Sequence, residues 1–328
     1  MDKLLYKNGL KSENKEYNNN FVISTLHCLI NINALTDFIK KLKQNECEKD
    51  PLLDAYKKFL KQLKEDDENP SSIKQFEDIL FEKDDFKKKE NYNPQFLLDY
   101  LITDFNLFIS SEFKNTKISD IFAITIQTIK KCPNCKNFIE KEKNDEKKNL
   151  KYNITQYTNN GEGVEYNIYD CLRSYVKKED GDNKGYCKFC KKDISPDIKR
   201  IFKTLPKILI IYVNYGNDIN FKLNKPIDFN EKIDFNQIEE VEKKYKNKQY
   251  ELAALVSVKD MMKKNEYFYS FCKSFCKDNN EDGKYFCYNA DIVHKVKNIE
   301  NKINKQSIEI DNKKERFPYI LIYTIETK

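Results

Sequence analysis

Two short cysteine knuckles constrain this chain more than any other feature of it. Cys132-Pro-Asn-Cys135 and Cys187-Lys-Phe-Cys190 are separated by 51 intervening residues. A CxxC turn aims two sulfurs at one point. Two such turns meeting in space supply four thiolates in a tetrahedron, the geometry that structural Zn²⁺ prefers. Four protein ligands leave no open coordination position, so Zn²⁺ on Cys132, Cys135, Cys187 and Cys190 is expected to be structural rather than catalytic. The long separation suits a ribbon whose halves sit on the tips of separate hairpins. Two unrelated surface turns, or a redox CxxC, are the competing readings, and the paired spacing favours the metal. Cys28, Cys47, Cys171, Cys272, Cys276 and Cys287 lie mostly in apolar runs and read as small buried hydrophobes. Cys272 and Cys276 are close enough to suggest a second ion, but no nearby pair completes it.

The composition sets the frame around the knuckles. Ten cysteines in 328 residues, with no apolar leader at the N-terminus, read as reduced thiols and metal ligands, and the expected location is cytoplasm or nucleus. With 22 Phe and 21 Tyr, the chain has enough apolar surface for a sizeable core. The 59 basic and 53 acidic residues nearly balance, and their interspersion argues against nucleic acid as the partner. No run approaches the roughly 18 apolar residues of a membrane span.

Apolar residues recur at helical spacing through residues 21–108, as in Leu52, Leu53, Tyr56, Phe59, Leu60 and Leu63. Ser71 and Ser72 are placed to cap a helix carrying Ile73, Phe76, Ile79 and Leu80, and Asn93-Pro94 to open another. From about residue 118 the pattern turns to β-branched and aromatic runs: 118–129, 205–215, 250–258, 267–273, 284–288 and 318–323 read as strands. The charged stretches 140–149 and 239–248 read as loops or solvated helix faces. Helices first and strands after predict an α+β fold, and without repeats or linkers the chain reads as a single domain, 1–328.

The segments around the knuckles resemble, in order, the ubiquitin-specific protease (USP) family. Gly9-Leu10 followed by FVISTLHCL at 21–29 is similar to that family's Cys-box. YNIYDCLRSYV at 166–176 is similar to the helix after its first finger strand. IKRIFKTLPKILIIYVNY at 198–215 is similar to its Leu-Pro-x-x-Leu-Ile-Ile strand. EYFYSFCK at 266–273 and KYFCYNADIVHKV at 284–296 are similar to its His-box, and PYILIYT to its last strand. The resemblance runs from residue 9 to 323. It implies a papain-like cysteine protease fold with a helical thumb over about 1–115, zinc-ribbon fingers over about 118–200 and palm strands over about 200–328.

The positions that carry catalysis depart from the family pattern. Counting back from Leu26-His27-Cys28-Leu29 puts Asn20 where the resemblance implies the nucleophilic cysteine. Counting forward from Gly9-Leu10 puts Tyr17 there, because the intervening loop is longer, and no cysteine precedes Cys28. Cys28 matches a buried family position, about 12 Å along the helix from its start. Lys15 stands where the family usually has the Asn of the oxyanion region. The family's Gly-His-Tyr falls on Glu266-Tyr267-Phe268, so Tyr267 replaces the histidine, and the residue that orients it falls on Asn289. A phenol with a reference pKa near ~10 is a poor base at neutral pH. The two histidines, His27 and His294, read as packed or solvent-facing side chains rather than bases.

On this reading Asn20, Tyr267 and Asn289 form a degenerate triad with no catalytic residue. The chain is then expected not to be an enzyme but an inactive USP-like domain, a protein-binding or scaffold subunit of a larger assembly. Ubiquitin would bind weakly, because Glu266 and Tyr267 narrow the channel for its tail. The alternatives are an active deubiquitinating thiol hydrolase with an unconventional site, and a zinc-ribbon protein that binds nucleic acid.

Overall fold

A computed structural model describes residues 9–13, 19–65, 71–87, 93–112, 119–139, 143–147, 150–153, 167–176, 184–214, 229–259, 267–273, 285–289, 292–296 and 316–325. Tyr17, Lys15, Glu266 and Cys276 lie outside these residues.

The first third is helical, as the periodicity predicts. It opens with β1 (Leu10–Lys11) and α1 (Asn20–Ile30). Then come α2 (Asn33–Lys41), α3 (Gln44–Cys47), α4 (Pro51–Glu65), β2 (Ser71–Ser72), α5 (Lys74–Glu82), α6 (Asp84–Lys87) and α7 (Pro94–Glu112). Every residue of α1 from Phe21 to Ile30 is buried. A helix buried on all sides belongs at the centre of a core, with neighbours around it. Helix α7 starts as expected: Pro94 takes the first position, where its missing N–H costs nothing, and the Phe96 N–H donates to Asn93 Oδ1 at 2.9 Å. The serines do more than cap. Ser72 Oγ accepts from the Lys74 N–H at the start of α5 at 3.3 Å, although Ile73 takes the cap position itself, and Ser71 and Ser72 also pair in parallel with Leu10 and Lys11. The pairing ties the segment that leads into α1 to the start of α5.

After α8 (Ser119–Phe122) the chain becomes mostly β. The strands are β3 (Ile124–Lys131), β4 (Lys143–Lys147), β5 (Leu150–Asn153), then α9 (Ile168–Val176), β6 (Gly185–Cys187), β7 (Lys192–Ile194), β8 (Asp197–Thr204) and β9 (Ile208–Asn214). They continue with β10 (Lys232–Asp234), β11 (Gln249–Lys259), β12 (Tyr267–Lys273), β13 (Tyr285–Asn289), β14 (Ile292–Val296) and β15 (Arg316–Ile325). Two expectations change here. The run 118–129 is not strand throughout, because residues 119–122 form the helical turn α8. The charged stretch 140–149 contains β4, which pairs antiparallel with β3. Strand pairing is made by the backbone, and an edge strand tolerates charged side chains pointing at water, so its composition concealed it.

The large sheet runs β14-β13-β12-β11-β15-β9-β5, with β10 also on β11. Both of its faces are buried. On β9, Ile208, Ile210 and Tyr212 join the helical core around α1, while Leu209, Ile211 and Val213 join a second core with α9. That is why 208–213 reads as an unbroken apolar run. A second sheet, β4-β3-β8, carries the first knuckle at the end of β3, and the hairpin β6-β7 carries the second in its turn.

Candidate metal centre and hydrolase site

The structure brings Cys132, Cys135, Cys187 and Cys190 together. Their sulfurs lie within 4.8 Å of one another, with Cys132 Sγ 3.8 Å from Cys190 Sγ and Cys135 Sγ 3.7 Å from Cys187 Sγ. A tetrahedron with metal–sulfur bonds of about 2.3 Å has edges of about 3.8 Å, so the donor set fits a zinc-sized thiophilic ion. Both knuckles close on the same turn. The Lys136 N–H donates to Cys132 O at 2.9 Å and the Lys191 N–H to Cys187 O at 2.7 Å. Lys136 and Lys191, each just after a second cysteine, take left-handed φ values of 59° and 53°. An L-residue pays roughly 1 kcal/mol or more for that region, yet the same conformation occurs twice at matching places. Further donors aim at sulfur: the Cys190 N–H to Cys187 Sγ at 3.4 Å and Asn137 Nδ2 to Cys135 Sγ at 3.5 Å.

Four crowded thiols do not ionise independently. The Asn137 backbone N–H, helped by the other thiols, pulls Cys135 down to about 6. The hydrogen bond with Cys135, followed by burial, pushes Cys190 up to about 12. One thiolate forms readily and opposes the next. A dication removes that opposition, which is how metal binding comes to release protons.

The residues singled out for catalysis sit on three other elements. Asn20 is the first residue of α1, half-buried. Tyr267 is the first residue of β12 and Asn289 the last of β13. Ser270 of β12 pairs with Tyr288 of β13, so Asn289, one residue further on, lies at the end of the sheet where β12 begins. Helix α1 is fastened to β12 at its far end, where the Cys272 thiol donates to the His27 carbonyl at 3.3 Å. The His27 ring is fully buried and stacked on Tyr288, with centroids 4.2 Å apart. It is a packing residue, as expected. Cys28 is buried in the same core. His294 lies on β14 opposite Cys287.

The start of α1 also holds a polar cluster that sequence reasoning missed. Asn19, 4 % exposed, does not cap α1 with its side chain. Its Nδ2 donates instead to Glu77 Oε1 at 2.6 Å and to Ser12 Oγ at 2.9 Å, and Ser12 Oγ donates to Glu77 Oε2 at 2.9 Å. The Glu77 side chain is fully buried. Burial raises its pKa to about 7, against the lowering effect of the Ser12 and Asn19 hydrogen bonds; Asp78 and Glu13 add to the rise. The cluster joins the strand before α1, the helix itself and α5. Its trace in the sequence is an acid inside the apolar stripe Ile73, Glu77, Leu80, where a solvated face would not be.

The profile of the ubiquitin carboxyl-terminal hydrolase family matches residues 12–323. The chain belongs to that family. Solved structures agree in fold. The SAGA DUB module of Ubp8, Sgf11, Sus1 and Sgf73 bound to monoubiquitin superposes with a TM-score of 0.74 at 19% identity, covering 98% of this chain and 69% of that one. The same module bound to ubiquitin aldehyde gives 0.72 at 17%, covering 98% and 70%. A search of the curated proteins finds no match. The USP-type α+β fold inferred from the sequence is therefore the fold of this chain.

The same findings correct one expectation. The chain was expected not to be an enzyme; membership of a hydrolase family, with the fold of a deubiquitinating module, points to a deubiquitinase. The expectation rested on two positions, Asn20 and Tyr267. Losing the customary side chains removes one route to a nucleophile. It does not remove substrate binding or oxyanion stabilisation, which in hydrolases with dismantled triads still accelerate reactions by roughly 10³–10⁴. Absence of activity does not follow from those two residues.

Proposed function

We propose that this hydrolase-family chain binds ubiquitin as a subunit of a multi-protein assembly in the cytoplasm or nucleus, with Zn²⁺ on Cys132, Cys135, Cys187 and Cys190 holding its fingers. The observation that carries the reading is the likeness over 98% of the chain to a deubiquitinating module that holds monoubiquitin among three other subunits. The thumb over about 1–115, fingers over about 118–200 and palm over about 200–328 form a single domain. The hydrolase centre is assigned to the start of α1, the start of β12 and the end of β13, at Asn20, Tyr267 and Asn289. Zinc fits the donor set because all four ligands are thiols and the edges are those of its tetrahedron. Among the described residues the nine cysteines are free thiols, in keeping with a reducing compartment. Among the described residues no single helix is long and apolar enough to cross a membrane.

Asn20 and Tyr267 offer hydrogen-bond donors and acceptors but no thiolate, so the test reads affinity and turnover separately. Immobilised ubiquitin titrated with the zinc-loaded chain is expected to give saturable binding in the range of about 1–100 µM. Failure to saturate by about 1 mM would reject the ubiquitin reading. Release of fluorophore from a ubiquitin conjugate reports the hydrolysis that the family carries. Size-exclusion of the chain from its native source is expected to show it in a larger complex.

A further inference from the structure

The large apolar side chains exposed among the described residues are Phe96, Phe138, Tyr186 and Phe189, and three of the four sit on the metal ribbon. Phe189, 68% exposed, projects from between the ligands Cys187 and Cys190. Tyr186 precedes that knuckle and Phe138 follows the other. The two hairpins meet at this point, where a Cβ on Gly185 would lie 3.7 Å from Ile139, so the neighbours of Tyr186 and Phe138 are in contact. The same two segments, 130–138 and 184–192, contain seven lysines and no acid. Lys131 Nζ lies 4.9 Å from the centre of the Phe138 ring, and Lys188, Lys191 and Lys192 are exposed. A chain whose charges nearly balance overall thus gathers cations and bare aromatics on one small tip. Clustered exposed aromatics mark interaction surfaces.

We propose that the ribbon tip is a docking surface for an acidic segment of another protein, one in which Glu and Asp alternate with apolar side chains. The aromatics would take the apolar side chains and the lysines the carboxylates, so the surface supplies both halves of the recognition. Single-stranded nucleic acid also suits lysines with aromatics, but it needs a basic groove along which its backbone can run. Here acids border the tip. Asp193 on β7 pairs with Tyr186, Asp197 on β8 holds Lys136 at 3.3 Å, and the exposed Asp145 and Glu146 follow further along β4 opposite Ile126 and Thr125, so a phosphate chain running on from the tip would meet acids in succession. A short peptide can set its apolar side chains on Tyr186 and Phe189 and its spaced carboxylates on Lys188, Lys191 and Lys192, away from Asp197. The surface lies on elements other than α1, β12 and β13, and its test does not depend on ubiquitin binding.

The probe is a fluorescein-labelled twelve-residue peptide that alternates acidic pairs with Phe and Leu, titrated with the zinc-loaded full chain and followed by anisotropy. Binding is expected to weaken between about 50 and 300 mM salt. Phe189→Ala is expected to weaken it roughly fivefold or more, and the pair Lys188→Glu with Lys191→Glu roughly tenfold or more. Both variants alter exposed side chains and are expected to keep their zinc and melting temperature. Tight binding that neither variant changes would overturn the proposal. So would an oligothymidylate of equal length that binds more tightly than the peptide, or ubiquitin that displaces the peptide and loses its own affinity through Phe189→Ala. Absence of peptide binding by a chain with full zinc content would overturn it as well.

Discussion

The metal ribbon and the start of α1 are built in opposite ways. Each knuckle is a self-contained turn: two cysteines three residues apart, a lysine in the left-handed region, and one backbone hydrogen bond closing the loop. Two such turns need only one tertiary meeting to make a site. The start of α1 is placed instead by the long-range packing of a central helix and by the anchoring of α1 on β12 through Cys272 and His27. Its polar support comes from yet another element, through Glu77 of α5. The ribbon turns on four sulfurs placed to hold one ion, and the start of α1 on the packing around it.

Cys187→Ser breaks the ribbon alone if the comparison is right. One thiolate is lost from a closed site, and thiolate ligation is folding energy for a small metal module, on the order of 10 kcal/mol or more in isolated zinc modules. Bound zinc is expected to fall from about one ion per chain towards none, and amide exchange in β6, β7 and the ends of β3 and β8 to rise sharply. Exchange in α1 and β12, which share no residue with the ribbon, is expected to change little. Loss of protection in α1 to the same extent would mean that the two regions fold as one unit.

The second prediction concerns the start of α1. In the folded chain Glu77 titrates near 7, above its ordinary value of 4.5, because burial disfavours the carboxylate. Between those two values the folded chain holds a proton that the unfolded chain has released. Stability therefore falls as pH rises from about 4.5 to about 7, and the loss, about 3 kcal/mol from this group, is complete above 7. Glu77→Gln cannot titrate. Relative to the parent chain it is expected to gain stability with rising pH, by up to about 3 kcal/mol, as read by urea denaturation near pH 5 and pH 8. A difference that stays constant across this range would show that Glu77 is not the group responsible.

These two regions also show what a sequence can disclose. Cys132, Cys135, Cys187 and Cys190 were legible because ligand spacing is a local property and the chemistry of four thiols is specific. The helices were legible from apolar periodicity, and β9, β11 and β15 from unbroken apolar runs, since burial on both faces writes itself into composition. β4 was not, because an edge strand is held by its backbone, and its side chains, Lys143 to Lys147, are those of a solvated loop. The Ser12–Asn19–Glu77 cluster was not, because nothing local joins three polar residues spread over 65 positions. The positions of Asn20, Tyr267 and Asn289 came only from resemblance, and an inference about activity drawn from them went further than two side chains can carry.

The smallest effect lies on the strand that faces α1. Ser270 is completely buried on β12, paired with Val256 and Tyr288, and its hydroxyl has no hydrogen-bond partner. Its neighbours two residues away, Phe268 and Cys272, pack into the core around α1, so alternation along the strand places Ser270 on that same face. A small residue there lets the helix come close, and the hydroxyl adds an unmet desolvation cost of about 1–3 kcal/mol. Ser270→Ala keeps the small size and removes the cost. It is expected to stabilise the chain by about 1 kcal/mol, which in a domain of this size raises the melting temperature by about 2 °C. Ser270→Leu keeps the strand apolar but forces extra volume under α1, and is expected to destabilise by about 1–3 kcal/mol. The pair of variants separates size from polarity. If Ser270→Ala lowered the melting temperature instead, the hydroxyl would be contributing to stability, and the α1 interface would be held by a polar contact as well as by packing.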